Sequence, residues 1–151
     1  MRDAMTAPSL RRGRGLSGVA GVLLILSAVA HTIGHLPLLR GAERSGSIVA
    51  MDADRAPLGL GMAPSMLDAH LALVLTMSVT FGALGVVTLL VALSDVDSRL
   101  HRRIVWVDAI CVGILVVVYA YYRIPPPLIS TVLIEAALLA ALFRSRGAGR
   151  R

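Results

Sequence analysis

The chain has 151 residues, no lysine and a single cysteine. One cysteine excludes an intrachain disulfide, and Cys111 sits in a run of apolar residues where it is expected to pack as a small hydrophobe. All fifteen basic residues are therefore arginine, and the abundance of alanine, glycine, valine and leucine beside them points to a GC-rich, bacterial coding sequence. There is no P-loop, no Rossmann glycine fingerprint, no HExxH, no GxSxG and no CxxC, so nucleotide and hydrolase chemistry have no support in any motif. A polar stretch large enough for a soluble domain is missing too. The longest, 37–68, has about thirty residues, and segments below about 40 residues rarely fold without staples.

What the chain has instead is apolar length. Hydrophobic residues make up 56% of it, against roughly 45–50% in soluble domains, and its mean hydropathy is +0.78. Four stretches, 16–36, 69–93, 104–122 and 127–143, are each about long enough to cross a bilayer. The expected fold is an all-α integral membrane protein, an antiparallel bundle of four transmembrane helices in one domain (16–143). Arginine-rich tails flank it at 1–15 and 144–151.

A net charge of +6 would suit a nucleic-acid partner, but the distribution of the arginines argues for a membrane. Arg2, Arg11, Arg12, Arg14, Arg99, Arg102, Arg103, Arg144, Arg146, Arg150 and Arg151 all fall on one side of the four stretches. Only Arg40, Arg44, Arg55 and Arg123 fall on the other. The positive-inside rule then places both termini in the cytoplasm of a multi-pass protein of the cell membrane, a bacterial inner membrane. The arginines serve as topology determinants and contacts to anionic lipid, and no nucleic acid is expected. A rival reading takes the first stretch as a secretory signal cleaved after Ala28-Val29-Ala30. Against it, the apolar run continues through Ile33, Leu36 and Leu38.

Local punctuation places the connections. Pro64 suits a first helical turn, the charged segment 94–103 reads as a turn, and 124–127, with its three prolines, reads as a rigid turn. Gly15, Gly18 and Gly21, then Gly82 and Gly85, then Ala136, Ala137, Ala140 and Ala141, are spaced for close helix approach or homodimerisation. Tyr119, Tyr121 and Tyr122 with Arg123 read as an interfacial belt.

Ionisable groups inside such stretches are costly, so function is sought there first. His31 and His35 stand at i, i+4 on one helix face, a spacing that can chelate a metal or hold a shared proton. By depth, His70 and Glu135 join them in the outer half, while Asp108 falls near the cytoplasmic face, where it is expected to pair with Arg103 or cap a helix. Several outcomes are open. In one, the cluster locks the helices of a structural or interaction subunit whose partners are the lipid bilayer and another membrane subunit or a second copy. In another, His31, His35, His70 and Glu135 hold zinc or iron, or copper with help from the thioethers of Met62 and Met66. Haem b between His31 and His70 is a variant of this. In the last, Glu135 and His31 relay protons for a small transported solute. Ser27, one turn before His31, is expected to bond a backbone carbonyl rather than act as a nucleophile.

Overall fold

The computed structural model describes residues 8–41, 45–55, 63–94 and 96–146, with side chains from Gly13 to Arg144. Among these residues the structure is helical and contains no strand. The helices are α1 (Pro8–Gly34), α2 (Leu36–Leu39), α3 (Gly46–Ala53), α4 (Met66–Leu93), α5 (Ser98–Tyr121) and α6 (Pro125–Arg146). Four of them, over Gly13–Gly34, Met66–Leu93, Ser98–Tyr121 and Pro125–Arg144, are long and apolar enough to cross a membrane.

The helices run past the apolar stretches that announce them, and their ends show why. At α4, Ser65 and Asp68 form a reciprocal cap: the Asp68 amide donates to Ser65 Oγ at 3.0 Å and the Ser65 amide to Asp68 Oδ2 at 3.1 Å. The helix therefore begins at Met66, after Pro64. Segment 98–103, expected as part of a charged turn, is instead the first turns of α5, which shortens the connection to the four residues 94–97. At the other end of α5 the Ile124 amide bonds the Tyr119 carbonyl and the Arg123 amide the Ala120 carbonyl, with Arg123 at a φ of 54°. This left-handed cap closes α5. The three prolines then occupy the first turn of α6, not a separate rigid turn, because the donors they lack would be unpaired there in any case. Helix α3, in the polar stretch after the first span, has no forerunner in the apolar pattern.

The chain divides into two compact units, Met1–Leu26 with Ala83–Arg151, and Ser27–Gly82. In the first, α1 and α4 meet backbone to backbone at Gly21 and Gly85. A Cβ on Gly21 would lie 2.9 Å from the Gly85 carbonyl oxygen and the Leu89 nitrogen, and one on Gly85 2.8 Å from the Gly21 carbonyl oxygen. Contacts run in opposite order along the two helices, from Gly18 against Ala92 to Ile25 against Gly85. Helices α5 and α6 pack along each other in the same unit. In the second unit, the Gly82 position is in ordinary contact distance of the Ala28 side chain, 3.8 Å away.

The interior mixes apolar and polar side chains, while large apolar side chains also cover the outside. Fully buried side chains include Ser17, Thr88, Asp108 and Thr131, alongside Leu24, Ile134 and Leu138. The outward faces carry Leu26, Leu73, Val79, Leu90, Ile114 and Val117, all exposed. Such a surface is stable against hydrocarbon and would be a large aggregation-prone patch in water.

The glycines are not equivalent, since nothing lies within 4 Å of a Cβ placed on Gly15. Gly21→Ala or Gly85→Ala is expected to destabilise the detergent-solubilised protein by about 1–3 kcal/mol through overpacking. Gly15→Ala is expected to be neutral or to stabilise by up to about 1 kcal/mol. Thermal unfolding of the three variants checks the contrast.

Candidate functional site

In the second unit, the end of α1, the turn after it and the start of α4 bring three imidazoles together. The rings of His31 and His35 have centroids 4.6 Å apart, and those of His35 and His70 lie 5.9 Å apart. Helix α1 ends at Gly34, and His35 stands in the turn before α2, with its amide still bonded to the His31 carbonyl at 3.3 Å. The i, i+4 face therefore survives the end of the helix. His35 Nδ1 is 2.9 Å from the His31 carbonyl oxygen. A carbonyl only accepts, so Nδ1 holds the hydrogen, and in the neutral ring Nε2 carries the lone pair. His31 Nε2 is buried and has no hydrogen-bond partner.

Other residues singled out in the sequence are placed as follows. Met66, one turn before His70 at the start of α4, is exposed, and Met62 lies outside the described residues. Glu135 belongs to the first unit, where its carboxylate lies over Gly113 of α5 and Oε2 is buried without a partner. The hydroxyl of Thr131, one turn before it on α6, is bonded to the Pro127 and Leu128 carbonyls. Tyr121 and Tyr122 are exposed and meet edge to face at 5.1 Å. Among the described residues, no group of three or more His, Cys, Asp and Glu side chains is already arranged to hold a metal ion.

Two polar pairs in the first unit escaped the sequence reading. Ser17 Oγ is 2.8 Å from His101 Nε2, joining α1 to α5, with both side chains buried. Ser17 Oγ also lies 2.9 Å from the Arg14 carbonyl. A hydroxyl has one hydrogen, and the carbonyl can only accept it, so the hydrogen between Ser17 and His101 comes from Nε2. This arrangement is the reverse of a serine nucleophile activated by a histidine base, and Ser17 has no exposed surface for a substrate to reach. Beside this pair, the Arg14 guanidinium donates to the carbonyls of Ser94 at 3.2 Å and Val96 at 2.7 Å, binding α1 to the connection between α4 and α5.

The second pair corrects the expectation for Asp108. It lies ten residues beyond the start of α5, about 15 Å into a helix of 24 residues, and not at its end. It is 2% exposed, and its partner is Thr88 of α4, at 2.5 Å between Oγ1 and Oδ2, rather than Arg103. Thr88 barely interrupts the apolar pattern and His101 lies in the charged segment 94–103, so neither announces a partner on another helix. The available signal was the presence of any ionisable group so far inside a span.

Truncating one side of a buried pair leaves the other unsatisfied. Ser17→Ala is expected to cost about 1–3 kcal/mol of stability, while the double variant Ser17→Ala/His101→Phe costs less than the sum of its parts. A double-mutant cycle of unfolding in detergent measures the coupling.

No protein-family model matches the chain, and no curated protein or solved structure is detectably similar to it.

Proposed function

We propose that this is a non-catalytic, multi-pass membrane protein of structural or interaction type. It forms an antiparallel four-helix bundle with both termini in the cytoplasm of a bacterial inner membrane. Its apolar outer faces meet lipid and another membrane subunit or a second copy of itself. The observation that carries this reading is the use made of polar groups inside the spans. Ser17 with His101, and Thr88 with Asp108, are spent on joining helices, an arrangement that holds transmembrane helices together. The topology rests on the arginine asymmetry.

A second reading is favoured by the imidazole group. His31 Nε2 is buried without a partner, and His35 presents Nε2 with its tautomer set by the bond from Nδ1. A ring oriented in this way is prepared for a metal. With modest ring rotations, His31, His35 and His70 would take zinc, iron or copper, with Met66 one turn away for a soft ion, or His31 and His70 would take haem b.

Elemental analysis and an absorption spectrum of the detergent-purified protein separate the readings. The structural reading expects no metal or chromophore, even after incubation with copper, zinc, iron and haem. One metal or haem per chain, lost in His31→Ala/His35→Ala, would replace it with the cofactor reading. Topology is checked in a Cys111→Ser background. Ser45→Cys should react with an impermeant thiol reagent on intact cells, and Ser94→Cys only after permeabilisation.

A further inference from the structure

Asp108 is almost fully buried, yet its surroundings leave a way in. The facing stretches of α4 and α5 border an open groove of about 320 Å³, walled by Leu84, Val87, Ile104 and Val107. Asp108 and Arg103 are its ionisable lining residues. A purely structural bond to Thr88 would be met equally by an asparagine, without the cost of a carboxyl group deep in an apolar span.

The hydrogens around Thr88 can be counted. Its hydroxyl lies 2.8 Å from the carbonyl oxygen of Leu84, one turn back on α4, and 2.5 Å from Asp108 Oδ2. The same back-bond recurs at Thr32, Thr76 and Ser94, so the Leu84 carbonyl is the ordinary destination of the Thr88 hydrogen. One hydroxyl hydrogen cannot fully serve two acceptors. If the Thr88 hydrogen stays on the Leu84 carbonyl, as the hydroxyl hydrogens do at those three positions, the hydrogen between Thr88 and Asp108 is the carboxyl group's own.

We propose that Asp108 is a proton-holding site. Its side chain is a carboxylic acid that donates to Thr88, and the groove is the route by which the proton is exchanged. On release, the acid O–H bond breaks and the proton leaves as hydronium on water entering the groove. The carboxylate then takes the Thr88 hydrogen, which turns from the Leu84 carbonyl to Oδ2. The Leu84 carbonyl keeps its helical bond, so no backbone group is stranded. Thr88 is thus a two-position rotor coupled to the charge on Asp108. The proposal adds a function to the structural reading and requires none of the histidines.

The test uses the full chain, solubilised in detergent at neutral pH. Infrared spectroscopy should show a carboxylic-acid carbonyl band that is lost in Asp108→Asn and shifted in frequency in Thr88→Val. Dicyclohexylcarbodiimide, an apolar reagent that adds a carboxylic acid across its C=N bond, should leave an adduct that peptide mapping places on Asp108. The labelling needs no variant, and Thr88→Val supports the band assignment should Asp108→Asn fail to fold. An acid band that Asp108→Asn leaves intact and Thr88→Val leaves unshifted, or spectra with carboxylate bands alone, would overturn the acid. A band without an Asp108 adduct would overturn the groove as its route.

Discussion

Hydrocarbon offers no hydrogen-bond partners, and the architecture of this protein follows from that one constraint. Backbone groups satisfy themselves in helices, and polar side chains must find their partners on their own helix or on a neighbouring one. Thr32, Thr76, Thr88, Ser94 and Thr131 all bond the carbonyl four residues back. Ser17 and Thr88 reach further, to His101 and Asp108 on α5. The result is a chain whose buried positions include serine, threonine, histidine and aspartate beside apolar residues, while many other leucine, isoleucine and valine side chains face outward.

Within that constraint, the number of hydrogens matters more than the number of contacts. A serine or threonine hydroxyl that has already given its hydrogen to a backbone carbonyl can only accept from a second partner. At Ser17 this makes His101 the donor and removes any likeness to a hydrolytic dyad. At Thr88 the same count underlies the proposal that Asp108 is held as a hydrogen-bonding acid. The same logic identifies what is left over. Among the described residues, His31 Nε2, Ser78 Oγ and Glu135 Oε2 are buried without hydrogen-bond partners.

Packing supplies the second layer of order. Where apolar surface faces lipid, association of helices depends on close van der Waals contact more than on the hydrophobic effect. Gly21 and Gly85 permit that contact by letting the backbones of α1 and α4 touch. Helix ends complete the frame through the Ser65–Asp68 cap, the left-handed Arg123 and the prolines that open α6.

Four helices of membrane-crossing length were legible in the sequence because apolar runs of that length have few other uses. The i, i+4 pairing of His31 and His35 was legible because helical periodicity places such residues on one face. The partner of Asp108 was missed because Thr88 stands on another helix, and the start of α5 was missed because the charged residues 98–103 hid its first turns. Gly21 and Gly85 differ from Gly15 only by what stands opposite, and no spacing rule conveys that. The sequence by itself therefore determined the membrane-length helices, the asymmetry of their charge and the presence of costly ionisable groups, all properties local to a segment. Only the tertiary structure decided that Ser17 meets His101, that Asp108 meets Thr88 and that His70 reaches the α1 histidines. Those pairings depend on the rotation of each helix about its axis, and a helix that is apolar on every face leaves that rotation unspecified.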